Sequence, residues 1–157
     1  LAPPYELLND RRVPDGNGNI DHIVVAPSGV WLIDSKRYEH GTIEYKFVAG
    51  RGGSSMRLLV GGQDRTSLVD QIYAQVIPVA QVLGDPTVPI KPALVFVNAH
   101  VSGHMALRLL RSKPYEHLGV LITTRKVLGK KILEPGPLGP ERVAAIGQYL
   151  DAALPHR

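Results

Sequence analysis

The sequence predicts a mixed α/β fold, a central mixed β-sheet that carries an acidic hairpin and is flanked by helices. Three observations predict it. The first part of the chain consists of short Val- and Ile-rich segments set between turn residues. From residue 67 the apolar residues recur at spacings of three and four, which is the period of a helix face. After that, short apolar strands alternate with helical stretches, the order expected of helices packed on a sheet.

Residues 5–13 read as an opening strand, and residues 14–19 as a turn-rich break. Two strands follow, over residues 20–26 and 30–37, separated by Pro27-Ser28-Gly29. A third strand over residues 42–48 would continue the meander. Residues 49–64 are glycine-rich and lack periodicity, so they read as a loop with a short strand at 57–60. Residues 67–83 predict a helix whose face is Leu68, Ile72, Gln75, Val79 and Val82, with Ser67 and Asp70 at its start and Gly84 at its stop. Pro78 lies inside that helix and should kink it. Residues 93–98 and 119–123 read as strands buried on both faces. Residues 103–112, 124–133 and 141–154 read as helices, the last amphipathic and preceded by a proline-rich break.

The 157 residues fit one domain and can bury roughly 68–70% of the unfolded surface, so no disulfide or structural metal is needed to fold. With no cysteine, a disulfide framework, a thiolate zinc site and a thiol nucleophile are excluded. The 18 Lys and Arg against 14 Asp and Glu give a net charge of +4, which permits a nucleic-acid partner without demanding one. No apolar run approaches a membrane span, and with no visible signal a cytoplasmic location is expected. The opening Leu1-Ala2-Pro3-Pro4 has neither an initiator Met nor a signal-peptide layout, and reads as the start of a fragment of a longer protein.

The informative stretch runs from Ile20 to Lys36. Asp21 and Asp34 interrupt strands that are otherwise apolar, where burying a carboxylate is costly unless something neutralises it. Pro27 cannot take the positive φ that a two-residue type I′ or II′ turn needs first, so a four-residue loop over Ala26 to Gly29, built on a type I turn with Gly29 left-handed, fits better. Val25 then faces Val30 and Asp21 faces Asp34, with Cβ atoms about 4.5–5.5 Å apart. Lys36, two residues on, projects from the same face. Two opposed carboxylates repel unless one is protonated or a cation lies between them. Paired carboxylate oxygens with room for water suit Mg²⁺, or Mn²⁺, which would polarise a phosphoryl oxygen, and Lys36 could orient the attacking water. The alternative is a structural ion pair of Asp21 with Lys36 near a sheet edge, with Asp34 in a turn. A three-residue loop with a glycine bulge would place the aspartates on opposite faces.

These same residues, Ile20-Asp21-His22-Ile23-Val24-Val25 and Pro27 through Lys36, resemble the signature of the nuclease-related domain (NERD) family, of the PD-(D/E)xK group related in fold to restriction endonucleases. The resemblance implies a restriction-endonuclease-like core over the whole chain. It also implies a metal-dependent nuclease that hydrolyses nucleic-acid phosphodiesters, DNA above all. By position, Asp21 resembles the first metal-binding carboxylate, Asp34 and Lys36 the (D/E)-x-K element, and Gln71 the family's helix glutamine. Read without the resemblance, Gln71 is an ordinary polar helix position. The family usually has a glutamate-bearing helix before the first strand. The sequence begins at about that strand, so this helix is expected to be missing and the site to lack one acid. Glu6, within the strand, does not replace it.

Other constellations weigh less. His100 and His104 are four apart, but Val101-Ser102-Gly103 breaks the helix between them, so ligation is not expected. His22 reads as a hydrogen-bonded core histidine rather than a general base. The segment Gly50 to Ser55 matches neither the Walker nor the Rossmann spacing and reads as a mobile loop. Arg37, Arg51 and Arg57 are candidates for nucleic-acid backbone contacts, as is the basic cluster Arg125, Lys126, Lys130 and Lys131, although charge runs are usually solvated faces. No Gly-x-Ser-x-Gly elbow is present. Two other functions stay open: a non-catalytic nucleic-acid- or protein-binding module of a larger multidomain protein, and an interaction scaffold with a vestigial site. Pairing as a homodimer and fusion to further domains are expectations of the same kind.

Overall fold

A computed structural model describes residues 5–14 and 18–156. The expected break at 14–19 therefore lies partly outside the described residues. The chain order is β1 (Glu6–Arg12), β2 (Asn19–Ala26), β3 (Gly29–Lys36), β4 (Thr42–Gly50), β5 (Gly53–Val60), β6 (Gln63–Asp64), α1 (Ser67–Leu83), β7 (Ile90–Phe96), β8 (His100–Val101), α2 (Gly103–Leu110), β9 (Tyr115–His117), β10 (Val120–Thr124), α3 (Arg125–Ile132) and α4 (Pro140–Ala153). This is the mixed architecture the sequence predicts, consistent with a restriction-endonuclease-like core.

The main sheet has six strands in the order β1-β2-β3-β7-β10-β9. The first three form an antiparallel meander, β3, β7 and β10 run parallel, and β9 closes the far edge antiparallel to β10. Val25 pairs with Val30 as expected, but Ala26 also pairs with Gly29, so the loop is Pro27 and Ser28 alone and not the four residues expected. Gly29 has φ +146°, and a Cβ there would meet the Pro89 carbonyl oxygen at 2.8 Å, so only glycine fits this approach.

Several sequence expectations are overturned. β4 does not continue the meander. It leaves the main sheet after Lys36 and forms a second sheet, ordered β6-β5-β4-β8. The stretch read as a loop is mostly strand. β4 and β5 pair from Ile43–Val60 to Gly50–Gly53, with Arg51 and Gly52 at the tip. Glycines and small polar residues hid this hairpin, because much of it is exposed on both faces and has no apolar alternation to read.

Alternation along β3 sorts the core. Val30 and Leu32 belong to the cluster that also holds Val79 of α1 and Val143, Ile146 and Leu150 of α4. Trp31 and Ile33 face the other way, against Leu128 and Ile132 of α3. A third cluster joins Leu94 and Phe96 of the main sheet to Ile43 and Leu58 of the second, under Ile72 of α1 and Met105 of α2. Helix α1 runs unbroken through Pro78 and stops at Gly84, which is left-handed at φ +64°. Its cap is Thr66, not Ser67. The Thr66 hydroxyl makes no capping bond. It accepts the Leu58 N–H at 2.8 Å and donates to Asp64 Oδ1 at 2.7 Å, pinning the helix start to the second sheet.

Candidate functional site

The site is built at the C-terminal end of β3. Val30 and Leu32 point to the face of α1 and α4, so the two-residue period carries Asp34 and Lys36 onto that face. On β2, Ile23 and Val25 point the same way, and Asp21 follows them. The ladder between β2 and β3 ends at His22–Ile33. Beyond it, Asp21 Oδ2 accepts the backbone N–H of Ser35 at 3.3 Å.

Asp21 and Asp34 come within side-chain hydrogen-bonding reach of each other. The Asp34 carboxyl is pushed up to about 6, chiefly by burial and then by the bond with Asp21 and its charge, with Lys36 pulling the other way. Lys36 Nζ is 3.5 Å from Asp34 Oδ1. Of the two side chains, Asp34 keeps 14% of its surface exposed and Lys36 34%, so the lysine reaches solvent over a largely covered carboxyl. Lys36 pairs with Asp34 rather than with Asp21, and Asp34 lies in the strand and not in a turn.

The other candidates are distributed as follows. The buried residues of α1 are Val69, Ile72 and Val79; Gln71 lies outside that stripe and is exposed. Gln75, on the helix face read from the sequence, is the glutamine that reaches the sheet, donating from Nε2 to the Asn19 carbonyl at 3.1 Å. His22 bonds Asn9 across the β1–β2 ladder at 2.7 Å, but it is half-buried rather than part of the core. His100 lies in β8 and His104 in α2. Among the described residues no group of three or more His, Asp or Glu is arranged to hold a metal ion.

Arg37, one residue past β3, is exposed. Arg51 sits at the exposed tip of the β4–β5 hairpin, in a two-residue turn and not a long loop. Arg57 is engaged by Asp64 at 2.7 Å, and Lys131 by Glu134 at 3.2 Å. Arg125, Lys126 and Lys130 are exposed on α3. Because β3, β7 and β10 are parallel, Lys36, Phe96 and Thr124 lie in one row across the sheet. The start of α3 is therefore on the same sheet edge as the acidic pair.

The Ser35 contact had no signal in the sequence, since it depends on two strands parting after a fixed pair. Gln75 had one, its place in the three-and-four spacing of α1.

Among the described residues no helix is long and apolar enough to cross a membrane. No curated protein matches the chain, and no solved structure does. The family model of the nuclease-related domain matches residues 1–97, which include the hairpin, the acidic pair, Lys36, α1 and all of β7. The chain belongs to the nuclease-related domain family, whose wider setting is the PD-(D/E)xK nucleases.

Proposed function

We propose that the end of the β2–β3 hairpin is a metal-dependent phosphodiesterase site that hydrolyses nucleic acid, DNA above all. One observation carries this reading. Asp21 and Asp34 meet at the end of a buried hairpin with the Lys36 ammonium beside them, in a chain of a nuclease-related family. The donor set fits Mg²⁺ or Mn²⁺: burial first and the neighbouring Asp21 second make Asp34 resist ionising, and a hard dication would offset both. Asp21 and Asp34 would hold it.

When bound there, such an ion supplies Lewis-acid polarisation of the phosphoryl oxygen and a more acidic water. The remaining work falls to the chain. Asp21 is fixed through one oxygen by the Ser35 N–H, which steadies the carboxyl that neighbours Asp34. Lys36 offers a solvent-accessible ammonium beside the carboxyl, placed to steady charge that builds on the phosphate or to orient the attacking water. Gln71, carried over from the family, would support the site from α1. Arg37, Arg51, Arg125, Lys126 and Lys130 would track the substrate backbone, whereas Arg57 and Lys131 would first have to leave Asp64 and Glu134.

The test is cleavage of single-stranded, duplex and plasmid DNA, and of RNA, with Mg²⁺, with Mn²⁺ and with chelator. Cleavage that needs the metal and falls at least about 100-fold in Asp34→Asn and Lys36→Ala is the expected result. No cleavage of any substrate by the wild type, with no calorimetric uptake of either ion, would overturn it. A second reading, a non-catalytic binding module of a larger protein, draws on the pair of carboxylates having no third acidic partner among the described residues. It predicts equal DNA affinity in wild type and Asp34→Ala, with no cutting by either.

A further inference from the structure

Charge is unevenly placed along the chain. Residues 98–133 hold seven of the 18 Lys and Arg but only one of the 14 Asp and Glu, Glu116. This segment lies beyond the residues matched by the family model. In the fold it supplies α2 and α3, which border a groove of about 200 Å³. The largely buried Leu109 and Val127 floor the groove, Leu110 is its exposed apolar wall, and Lys126 and Lys130 stand at its rim. Leu110 is 78% exposed, on a helix whose buried face is Met105 and Leu109. Lys130 Nζ donates to Ser112 Oγ at 3.2 Å, tying the end of α3 to the residues after α2 and holding the two sides of the groove together.

The groove begins beside Thr124, which shares a row of the sheet with Phe96 and Lys36. Two inter-strand steps separate Thr124 from Lys36, about 10 Å at ~4.8 Å each. A nucleic-acid chain lying against Lys36 would reach the groove within a few nucleotides.

We propose that the α2–α3 groove binds an unpaired nucleic-acid strand that extends from the site, with bases laid over the exposed Leu110 and phosphates on Lys126 and Lys130. The apolar wall decides between strand forms. A duplex keeps its base faces stacked inside and presents phosphates, so it has nothing to place on Leu110; an unpaired strand offers both surfaces. The charge excess selects a polyanion over a neutral peptide. This inference deepens the proposed function and rests on it only for the place of the cut.

The experiment is fluorescence anisotropy in chelator with the full chain, using a labelled single strand of about 15 nucleotides and a hairpin duplex of matching length. Lys126→Glu with Lys130→Glu should weaken single-strand binding at least about tenfold and flatten its salt dependence by about 1.4 in log–log slope, the share of two phosphates. Leu110→Ser, at an exposed position where folding is not at stake, should weaken the single strand several-fold and leave the duplex unchanged. Binding and cleavage are read separately, so loss of cleavage in Asp34→Asn bears on the proposed chemistry and not on the groove. The proposal is overturned if the wild type binds no single strand, if the groove variants retain full affinity, or if they weaken the duplex as much as the strand.

Discussion

Asp21 holds the backbone N–H of Ser35 one step past the last rung between β2 and β3. The bond does two things. It ties the parting strands together, and it fixes one oxygen of the Asp21 carboxyl, which neighbours Asp34. The crowding of two acids is thus built into the backbone.

That crowding has a pH signature. The Asp34 carboxyl, ordinarily near 3.8, is raised to about 6 by burial and by Asp21. Between these values the folded protein keeps a proton that the unfolded chain releases, so stability falls as pH rises through the window. From pH 5 to pH 7.5 the loss is about 1 kcal/mol. Urea denaturation in chelator should show this fall in the wild type and not in Asp34→Asn. Adding Mg²⁺ at pH 7.5 should recover the loss in the wild type alone. A wild type as pH-indifferent as the variant would mean that the folded protein does not hold the Asp34 carboxyl protonated in this window.

The turn that sets the hairpin register is held from outside. Ser28 is buried, donates from Oγ to the Ile132 carbonyl at 2.9 Å, and accepts the Trp31 indole N–H at 2.9 Å. Ser28→Ala leaves both partners buried and unpaired and should cost about 2 kcal/mol. Trp31 is the only tryptophan. Its fluorescence should therefore report the loss of that bond directly, and an emission spectrum unchanged from wild type would argue that the indole N–H is not held there.

Arg11 is a charged residue inside the fold, 4% exposed. It bonds the Asp151 carboxylate at 2.5 Å and the carbonyls of Asp151 and Leu154 at 3.1 Å each, satisfying the open end of α4. Arg11→Ala should cost about 3 kcal/mol in chemical denaturation. Asp151→Ala should cost about 1 kcal/mol, because Asp151 is more than half exposed and the carbonyl bonds remain. Equal losses would place the stabilisation in the ion pair rather than in the helix end.

Gly41 sets the path from the site to the second sheet. Its φ is +94°, and a Cβ would fall 2.8 Å from the Gly61 Cα, where backbone cannot yield. Gly41→Ala should lower stability by about 2–3 kcal/mol, combining clash and backbone strain. Gly62→Ala, with φ +80° and open space around it, should cost only about 1 kcal/mol. Thermal melts of the two variants separate strain from clash, and equal melting temperatures would remove the close approach of Gly41 to Gly61 as the cause.

The sequence by itself determined the hairpin register, the helix from Ser67 to Gly84, and the buried strands β7 and β10. Each is a local pattern: a proline that forbids one turn type, a period of three and four, an apolar run between turn signals. It also brought Asp21, Asp34 and Lys36 to one face, because alternation along two paired strands is fixed once the turn is. The tertiary structure alone decided that β4 leaves the main sheet, that Arg11 is buried, that Lys36 pairs with Asp34, and that α3 starts from the row of the sheet in which Lys36 stands. Periodicity records which face of an element avoids water. It does not record which other element covers that face, so contacts between distant segments, such as α2 against α3 or Asp21 against Ser35, exist only once the chain has packed.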